Sequence, residues 1–349
     1  MAIDPFDFPY SSMPYSLTHA VGNTPLVHLD KLSAGLAGNI YLKLEFLNPW
    51  MSVKDRVALN IIETAEREGK LKPGTHVIEA TSGNTGISLA GICAARGYEI
   101  TIVMPEFVSL ERKLLLRMLG AHLVLTPESQ GLLGPVAKSF ELAEKYPASF
   151  IADQTRNPAN PAAHFKTGEE LLRQLDGQVD AFVAASGTGG HISGIGAYLK
   201  SKRPQTLVVA VEPREAAVLS GQVEIGEAEG NHGIIGIGPG FIPETLDRAV
   251  IDRVMVIDTD DGYATTLRAI RAEGVLIGIS TGAALQAAIE LASEPQMAGK
   301  NIVVVAASST ERYLSTRLTA DARAYLDTLE TSLAPERHMH SLMQRPVKA

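Results

Sequence analysis

One lysine and two glycine-rich turns carry the side chains best suited to chemistry. Lys54 lies in NPWMSVKDR, a short charged stretch between two apolar segments. Downstream come TSGNTG, Thr81 to Gly86, and SGTGG, Ser186 to Gly190. SGTGG follows an apolar strand and opens a helix. Its glycines let several backbone N–H groups converge on an anion, and the helix start adds positive potential. Thr188 adds a hydroxyl. TSGNTG is different, because Thr81, Ser82, Asn84 and Thr85 are four short side chains that donate or accept hydrogen bonds. Such a loop suits a carboxylate, and Asn84 also suits a phenolic oxygen. The plainer alternatives are a capped strand-to-helix turn for TSGNTG and a tight turn for SGTGG.

Taken alone, Lys54 reads as a solvated lysine. Beside a helix start and apolar residues its ammonium form is disfavoured, which helps it form a Schiff base. Ser52 is a candidate cap for that helix. Asp55 and Arg56 read as a surface or structural pair. Ser308 ends the apolar run NIVVVAAS. A hydroxyl there donates to an unprotonated ring nitrogen, where an Asp would keep the nitrogen protonated and strengthen the electron sink. The serine option suits elimination and replacement at a β-carbon; capping of the next helix is the alternative. A lysine, a phosphate cradle and a carboxylate loop together fit pyridoxal 5'-phosphate (PLP). The rival is a dinucleotide fold, imitated by Gly187-x-Gly189 between strand and helix and by Glu212 beyond. That fingerprint wants a third glycine at position 192, which is Ile192.

Strand–helix alternation must position these groups. HVIEA (His76 to Ala80), EITIVMP, AHLVLTP and ASFIAD read as strands, separated by helices ISLAGICAAR, SLERKLLLRMLG with Ser109 as cap, and VAKSFELAEKY. A second series follows: helix PAAHFKTGEELLRQL, strand DAFVAAS, helix HISGIGAYLKSKR and strand TLVVAVEP. It continues with VMVID, helices around YATTLRAIRAEG and TGAALQAAIELA, and strand NIVVVAAS. Short, nearly all-apolar strands between helices imply parallel sheets covered on both faces. The region from Leu219 to Pro243 reads as irregular. The expected fold is α/β with two domains, each a mostly parallel twisted sheet flanked by helices, and PLP in the cleft between them. Ligands in such folds sit at the carboxyl ends of the strands, where both glycine turns fall. Expected boundaries are an arm over 1–22, a larger domain over 23–47 and 158–328, a smaller mobile one over 48–157, and a tail over 329–349.

The chain has 349 residues, enough for two domains with their own cores. Apolar residues make up 45% and charged residues 20%, as in ordinary soluble enzymes. A net charge of -8 makes a nucleic acid or an anionic membrane a poor default partner. The single cysteine, Cys93, sits in an apolar run without a Cys or His cluster around it, so it reads as a buried small hydrophobe and not as a metal ligand. With no disulfide framework within the chain, a reducing cytosol is the expected home. The N-terminal stretch lacks the pattern of a secretory signal, and no run approaches a membrane span of about 20 apolar residues.

The sequence resembles the cysteine synthase (O-acetylserine sulfhydrylase) family, of the tryptophan-synthase-β-like PLP fold (fold type II). The resemblance runs from VGNTPLVHL to SSTERYLST. It includes LEFLNPWMSVKDR, EATSGNTGISLA, MPEFVSLERKLLLRMLGA, QTRNPANPAAH, SGTGGHISGIG, VAVEP, GIGPGFIP and GISTGAA. It implies that Lys54 forms the internal aldimine and moves protons. Gly187, Thr188, Gly189, Gly190 and His191 match the phosphate loop, Asn84 the contact to the PLP 3'-oxygen, and Ser308 the partner of the ring nitrogen. Thr81, Ser82, Thr85 and Gln154 match the site for the amino acid carboxylate, and Gly236 lies in a segment lining the cleft. The implied reaction is O-acetyl-L-serine plus sulfide giving L-cysteine and acetate, by β-replacement in a cleft that closes over the bound carboxylate. It also implies a homodimer and, as a possible partner, the C-terminal tail of a serine acetyltransferase.

The chain departs from the family pattern at several positions. Trp50 and Met51 stand where small residues, often a glycine, are usual. They either reshape the entrance or fill core space. His191 replaces a usual Thr, either adding a proton donor at the phosphate or capping a helix. Thr155 replaces an aromatic residue, and Ala307 and Thr310 stand where Pro and Gly are common. A sister enzyme is the first alternative, using cyanide, homocysteine or another amine or thiol nucleophile, or acting on O-phosphoserine or cysteine. No regulatory module of the cystathionine β-synthase kind is expected after about residue 330. A regulatory partner of serine acetyltransferase is the second alternative, and a nicotinamide dehydrogenase the third.

Overall fold

The computed structural model describes residues 16–131, 133–227 and 232–332. Most of the expected arm and tail therefore lies outside the described residues. The described residues divide into a compact unit that ends at Arg312 and a short C-terminal unit that begins at Tyr313. The second holds the 3-10 turn Arg317–Thr319, capped by Thr316 through Leu318 N, and the helix Ala320–Leu326.

Two sheets organise the first unit. The strands are β1 Leu26–His28, β2 Asn39–Lys43, β3 His76–Ala80, β4 Ile100–Pro105, β5 His122–Thr126, β6 Ser149–Ile151, β7 Ala181–Ala185, β8 Leu207–Pro213, β9 Arg253–Ile257 and β10 Asn301–Val305. One sheet has six strands in the order β1-β2-β10-β7-β8-β9, the other four in the order β5-β4-β3-β6. Every pairing is parallel except β1 with β2. Inner strands are buried along nearly their whole length, as in β4 and β7, whereas β5 at an edge is exposed or half-buried at every residue but its last. Continuous apolar runs mark the strands that helices cover on both faces.

The helices of this unit are α1 Asp30–Ser33, α2 Lys54–Arg67, α3 Asn84–Arg96, α4 Leu110–Met118, α5 Leu133–Lys145, α6 Ala159–Ala163, α7 Phe165–Gln174, α8 Gly190–Lys202, α9 Thr259–Glu273 and α10 Ile279–Ala292. Hydrophobic cores form around both sheets. One joins α2, α3 and the four-stranded sheet through residues such as Ile61, Leu89, Ile92 and Ile102. The other joins α8 and the larger sheet through Phe182, Ile192, Ile195, Val208 and Val303. Cys93 is buried in the first core, and burial pushes its thiol up to about 12, so it remains a small apolar filler.

Three local expectations change. The helix expected over PAAHFKTGEELLRQL is two, α6 and α7, with the break at His164. Ser109 stands at the N-cap of α4 but makes no side-chain cap bond. Strands β1 and β2 were not anticipated. Each is short and half-polar, and pairing with β10 places β2 in the sheet.

Candidate active site

Both glycine turns sit at the carboxyl ends of their strands. β3 ends at Ala80 and runs through Thr81–Gly83 into α3; β7 ends at Ala185 and runs through Ser186–Gly189 into α8. The two turns are joined by a short chain of polar contacts. The Thr85 hydroxyl donates to Gln154 Oε1 at 2.5 Å. Asn160 Nδ2 donates to the Gln154 carbonyl at 2.7 Å and to Thr188 Oγ1 at 3.0 Å. Thr85, Gln154, Asn160 and Thr188 thus span the carboxylate-type and phosphate-type loops. Asn160 is fully buried, in NPANPAAH, and sequence reasoning gave it no role.

The SGTGG glycines are required by what packs behind them. A Cβ on Gly187 would lie 2.5 Å from the Gly236 carbonyl oxygen, and one on Gly190 would lie 1.9 Å from Asn160 Oδ1. Gly189 has φ +80°, left-handed backbone that favours glycine. Gly236, at φ +99°, thereby becomes the wall behind the loop. Thr188 Oγ1 accepts from Asn160, which leaves its own hydrogen for a ligand. His191, in the first turn of α8, packs edge-on to Phe182 and His164. Burial, then the charge of Lys54, lowers its pKa to about 3. It is a neutral imidazole with one N–H, and it does not cap α8, whose N-cap is Gly189.

Lys54 is the first residue of α2. Its side chain keeps some exposed area, yet the amine lies deep, and desolvation lowers its pKa to about 8. Ser52 Oγ accepts from Lys54 N at 3.2 Å, close to the expected cap, although Val53 occupies the N-cap position. The loop before it is pinned to the segment after β10: Val53 N donates to the Ala307 carbonyl at 2.9 Å, and Ser52 forms an antiparallel bridge with Ser308. Ser308 is buried beside this loop, and its carbonyl accepts from Gly278 N at 2.8 Å. The structure thus brings Ser308 to the Lys54 segment. Asn84 opens α3, and its Oδ1 is buried without a partner among the described residues. Thr81 Oγ1 accepts from Gly83 N at 3.2 Å, and the Ser82 carbonyl accepts from Arg112 at 3.2 Å.

Asp55 and Arg56 are not a pair with each other, nor on the surface. Asp55 is buried and accepts from Trp50 N at 2.6 Å and from Ser88 Oγ at 2.5 Å. Burial, opposed by these hydrogen bonds, raises its pKa to about 7. Arg56 is buried between Glu45 and Glu170.

The departures resolve locally. Trp50 fills core space: it is 8% exposed, belongs to the first core, and its Nε1 lies 1.9 Å from where a Cβ on Gly91 would stand. Met51 has φ +63°, left-handed backbone that costs a side-chain-bearing residue roughly 1–2 kcal/mol and a glycine nothing comparable. Ala307 N donates to Thr281 Oγ1 at 3.2 Å, a bond that proline could not make. Thr310 donates to the Ile277 carbonyl at 2.7 Å, and Thr155 to Asp153 Oδ1 at 3.1 Å. Gly91→Ala should therefore destabilise the protein by about 1–3 kcal/mol through overpacking. Adding Trp50→Leu should recover much of that loss in chemical denaturation; strictly additive effects would contradict the contact.

The lysine, the two loops and the open amide fit PLP. SGTGG would offer a phosphate its backbone N–H groups and the Thr188 hydroxyl, and Asn84 Oδ1 would accept from a donor on the ligand. Residues 17–308 match the profile of the pyridoxal-phosphate dependent enzymes. The chain belongs to that family. It is a PLP-dependent enzyme, and the dehydrogenase alternative falls with that match. The chain is 48% identical over 305 residues to the cysteine synthase of Staphylococcus aureus strain Mu50, covering 87% of this chain and 96% of that one. Among solved structures, the cysteine synthase of Entamoeba histolytica superposes with a TM-score of 0.85 at 36% identity over 99% of both chains. O-ureido-L-serine synthase superposes with a TM-score of 0.84 at 40% identity, over 90% of this chain and 100% of that one. Among the described residues no helix is long and apolar enough to cross a membrane.

Proposed function

We propose that the enzyme is a cysteine synthase, converting O-acetyl-L-serine and sulfide to L-cysteine and acetate. The observation that carries this reading is the 48% identity to a cysteine synthase along 87% of the chain, with Lys54 and both loops inside the matched family region. PLP, when bound, supplies an electron sink for negative charge at the substrate α-carbon. Gly187, Thr188, Gly189, Gly190 and His191 hold its phosphate, Asn84 its 3'-oxygen, and Ser308 its ring nitrogen. Lys54 would hold it covalently, and once the substrate amine has taken its place the freed Lys54 amine accepts the proton from the substrate α-carbon and returns it. An amine with a pKa near 8 is suited to both directions of that transfer. Thr81, Ser82, Thr85 and Gln154 hold the α-carboxylate, with Gly236 on the facing wall. Acetate leaves the β-carbon and sulfide takes its place.

The four-stranded sheet, residues 48–157 in the expected division, acts as the smaller mobile domain that shuts out water once the carboxylate is held. The same reading carries a homodimer in a reducing cytosol and a cleft open to a serine acetyltransferase tail; competition between tail peptide and O-acetylserine checks the last point. Similarity to O-ureido-L-serine synthase makes the nucleophile the open variable. Purified enzyme given O-acetyl-L-serine with sulfide should form L-cysteine faster than it forms the product of any other donor–nucleophile pair, with products identified by mass. Preference for O-phosphoserine, or for the nucleophile that yields O-ureido-L-serine, would replace the assignment by that sister reaction.

A further inference from the structure

Helix α6 is five residues long, yet it is clamped from both sides. Asn157 Oδ1 accepts from Ala159 N at 3.0 Å, and Asn157 Nδ2 donates to the Ala152 carbonyl at 2.9 Å. From α2, Asn60 Nδ2 donates to the Ala159 carbonyl at 2.7 Å. On the other side α8 presents two glycines one turn apart. A Cβ on Gly194 would lie 2.0 Å from the Pro161 carbonyl oxygen, and Gly190 makes room for Asn160 Oδ1 in the same manner. Asn160, 0% exposed, therefore stands on a rigid support between Gln154 and the SGTGG loop.

Its amide has only one allowed orientation. The Gln154 carbonyl accepts and cannot donate, so the NH2 group must face it. The second hydrogen of that NH2 goes to Thr188 Oγ1. Thr188 is thereby an acceptor on this side, and its own hydrogen must turn away from Asn160. Among the described residues that hydrogen has no acceptor. Asn160 Oδ1, set against Gly190, is also buried without a partner among the described residues. Leucine has nearly the same outline, so filling this space needs no amide. A buried amide with one bare oxygen is unfavourable, and its hydrogens are what it contributes in return.

We propose that Asn160 is a positioning residue that aims the Thr188 hydroxyl hydrogen at the cofactor phosphate. This rests on the reading that SGTGG holds that phosphate. A free threonine hydroxyl has three staggered positions and turns to any neighbouring acceptor. With the Asn160 amide on one lone pair, the hydrogen is kept for the ligand, and the arrangement exists before the phosphate arrives. Thr245 steadies the same loop from its backbone. Its hydroxyl donates to the Thr188 carbonyl at 2.6 Å, and its N–H donates to the Thr155 carbonyl at 3.2 Å. The segment Gln154–Thr155 and the phosphate-type loop are thus joined twice, by Asn160 and by Thr245. The Gln154 carbonyl is the pivot: it fixes the amide, and the amide fixes the hydroxyl.

The test compares the full chain loaded with PLP and with pyridoxal, which lacks the phosphate. Both attach to Lys54 in the same way, so the ratio of their dissociation constants isolates the phosphate. Thr188→Val should lower the preference for PLP about tenfold, the loss of one hydrogen bond to a charged group. Asn160→Leu should lower it about threefold, because the hydroxyl remains but is no longer aimed. In the Thr188→Val background, Asn160→Leu should change the preference no further. An Asn160→Leu effect that is equal on PLP and pyridoxal, or undiminished without the hydroxyl, would overturn the proposal. The wild-type holoenzyme gives a second measurement, which stands whether or not the variants fold. Its Thr188 hydroxyl proton should correlate with the cofactor phosphorus by NMR, and a hydroxyl proton without that correlation would also overturn the proposal. A Thr188→Val effect equal on both ligands would remove the phosphate reading itself, and the role of Asn160 with it.

Discussion

Replacing Lys54 by alanine should abolish turnover while leaving a folded protein that holds PLP only by non-covalent contacts. The expectation follows from position and environment together. Lys54 opens α2, its amine is desolvated, and its pKa is about 8. No second lysine is proposed for the site. Loss of a positioned proton-transfer group alone costs typically 10²–10⁴-fold, and loss of the covalent attachment adds to that. Borohydride reduction followed by peptide mass analysis should place the PLP mass on the Lys54 peptide of the wild type and nowhere in the variant. Circular dichroism should be unchanged. A pH effect accompanies this in the cofactor-free protein. The folded amine titrates near 8 and the unfolded one near 10.5. Between those values the unfolded state binds more protons, so stability rises with pH, and Lys54→Ala should lack that rise. A label on another lysine, or near-normal turnover in the variant, would sink the assignment.

How legible was this site in the sequence? The loops were, because their chemistry is written in consecutive residues. TSGNTG and SGTGG each follow an apolar run, and the structure puts both at strand ends. The alternation of buried strands and helices was equally plain in β3, β4, β7, β8 and β10. What the sequence hid depends on long-range pairing. β1 and β2 are short and half-polar, and their place follows from pairing with each other and with β10, far along the chain. Asn160 joins the two loops only after α6 has folded beside α8. Trp50 looked as much like a gate as a core residue until Gly91 was seen beneath it. Buried Glu79 did leave a trace, as the one acid in HVIEA, a strand otherwise suited to burial. A charge that interrupts such a run must meet specific donors, and that signal was readable. Arg56 was misread for the converse reason. A charged residue two positions after the key lysine resembles surface, and its partners lie in distant segments.

Those partners make Arg56 the site of the largest stability effect. Its guanidinium donates to Glu45 through Nε at 2.7 Å and Nη2 at 2.8 Å, and to Glu170 through Nη1 at 2.8 Å and Nη2 at 2.7 Å. Lys43 closes the cluster on Glu170 at 2.7 Å, and Thr24 and Asn48 complete Glu45. Arg56→Met would leave the buried Glu45 and half-buried Glu170 carboxylates facing one lysine. Breaking a buried pair from one side costs about 3–5 kcal/mol, because the remaining charge is uncompensated. The thermal midpoint should fall by roughly 10 °C, at about 2–4 °C per kcal/mol. The cluster ties β2 and α7 to α2, so the loop that presents Lys54 should loosen as well, and PLP affinity should fall with stability. Acid provides the control. Burial alone would raise Glu170, but the hydrogen bonds and charge of Arg56, then those of Lys43, outweigh it and hold the carboxyl at about 2. Its folded pKa is therefore below its unfolded value of 4.5. The stability it contributes is complete above that unfolded value and drains away as pH falls towards 2. The wild type should thus lose its advantage over Arg56→Met in that window. Adding Glu45→Gln to the variant should restore part of the loss at neutral pH, since it removes one stranded charge. A loss below about 1 kcal/mol at pH 7, the range of a surface ion pair, would show that this cluster does not hold α2 in place.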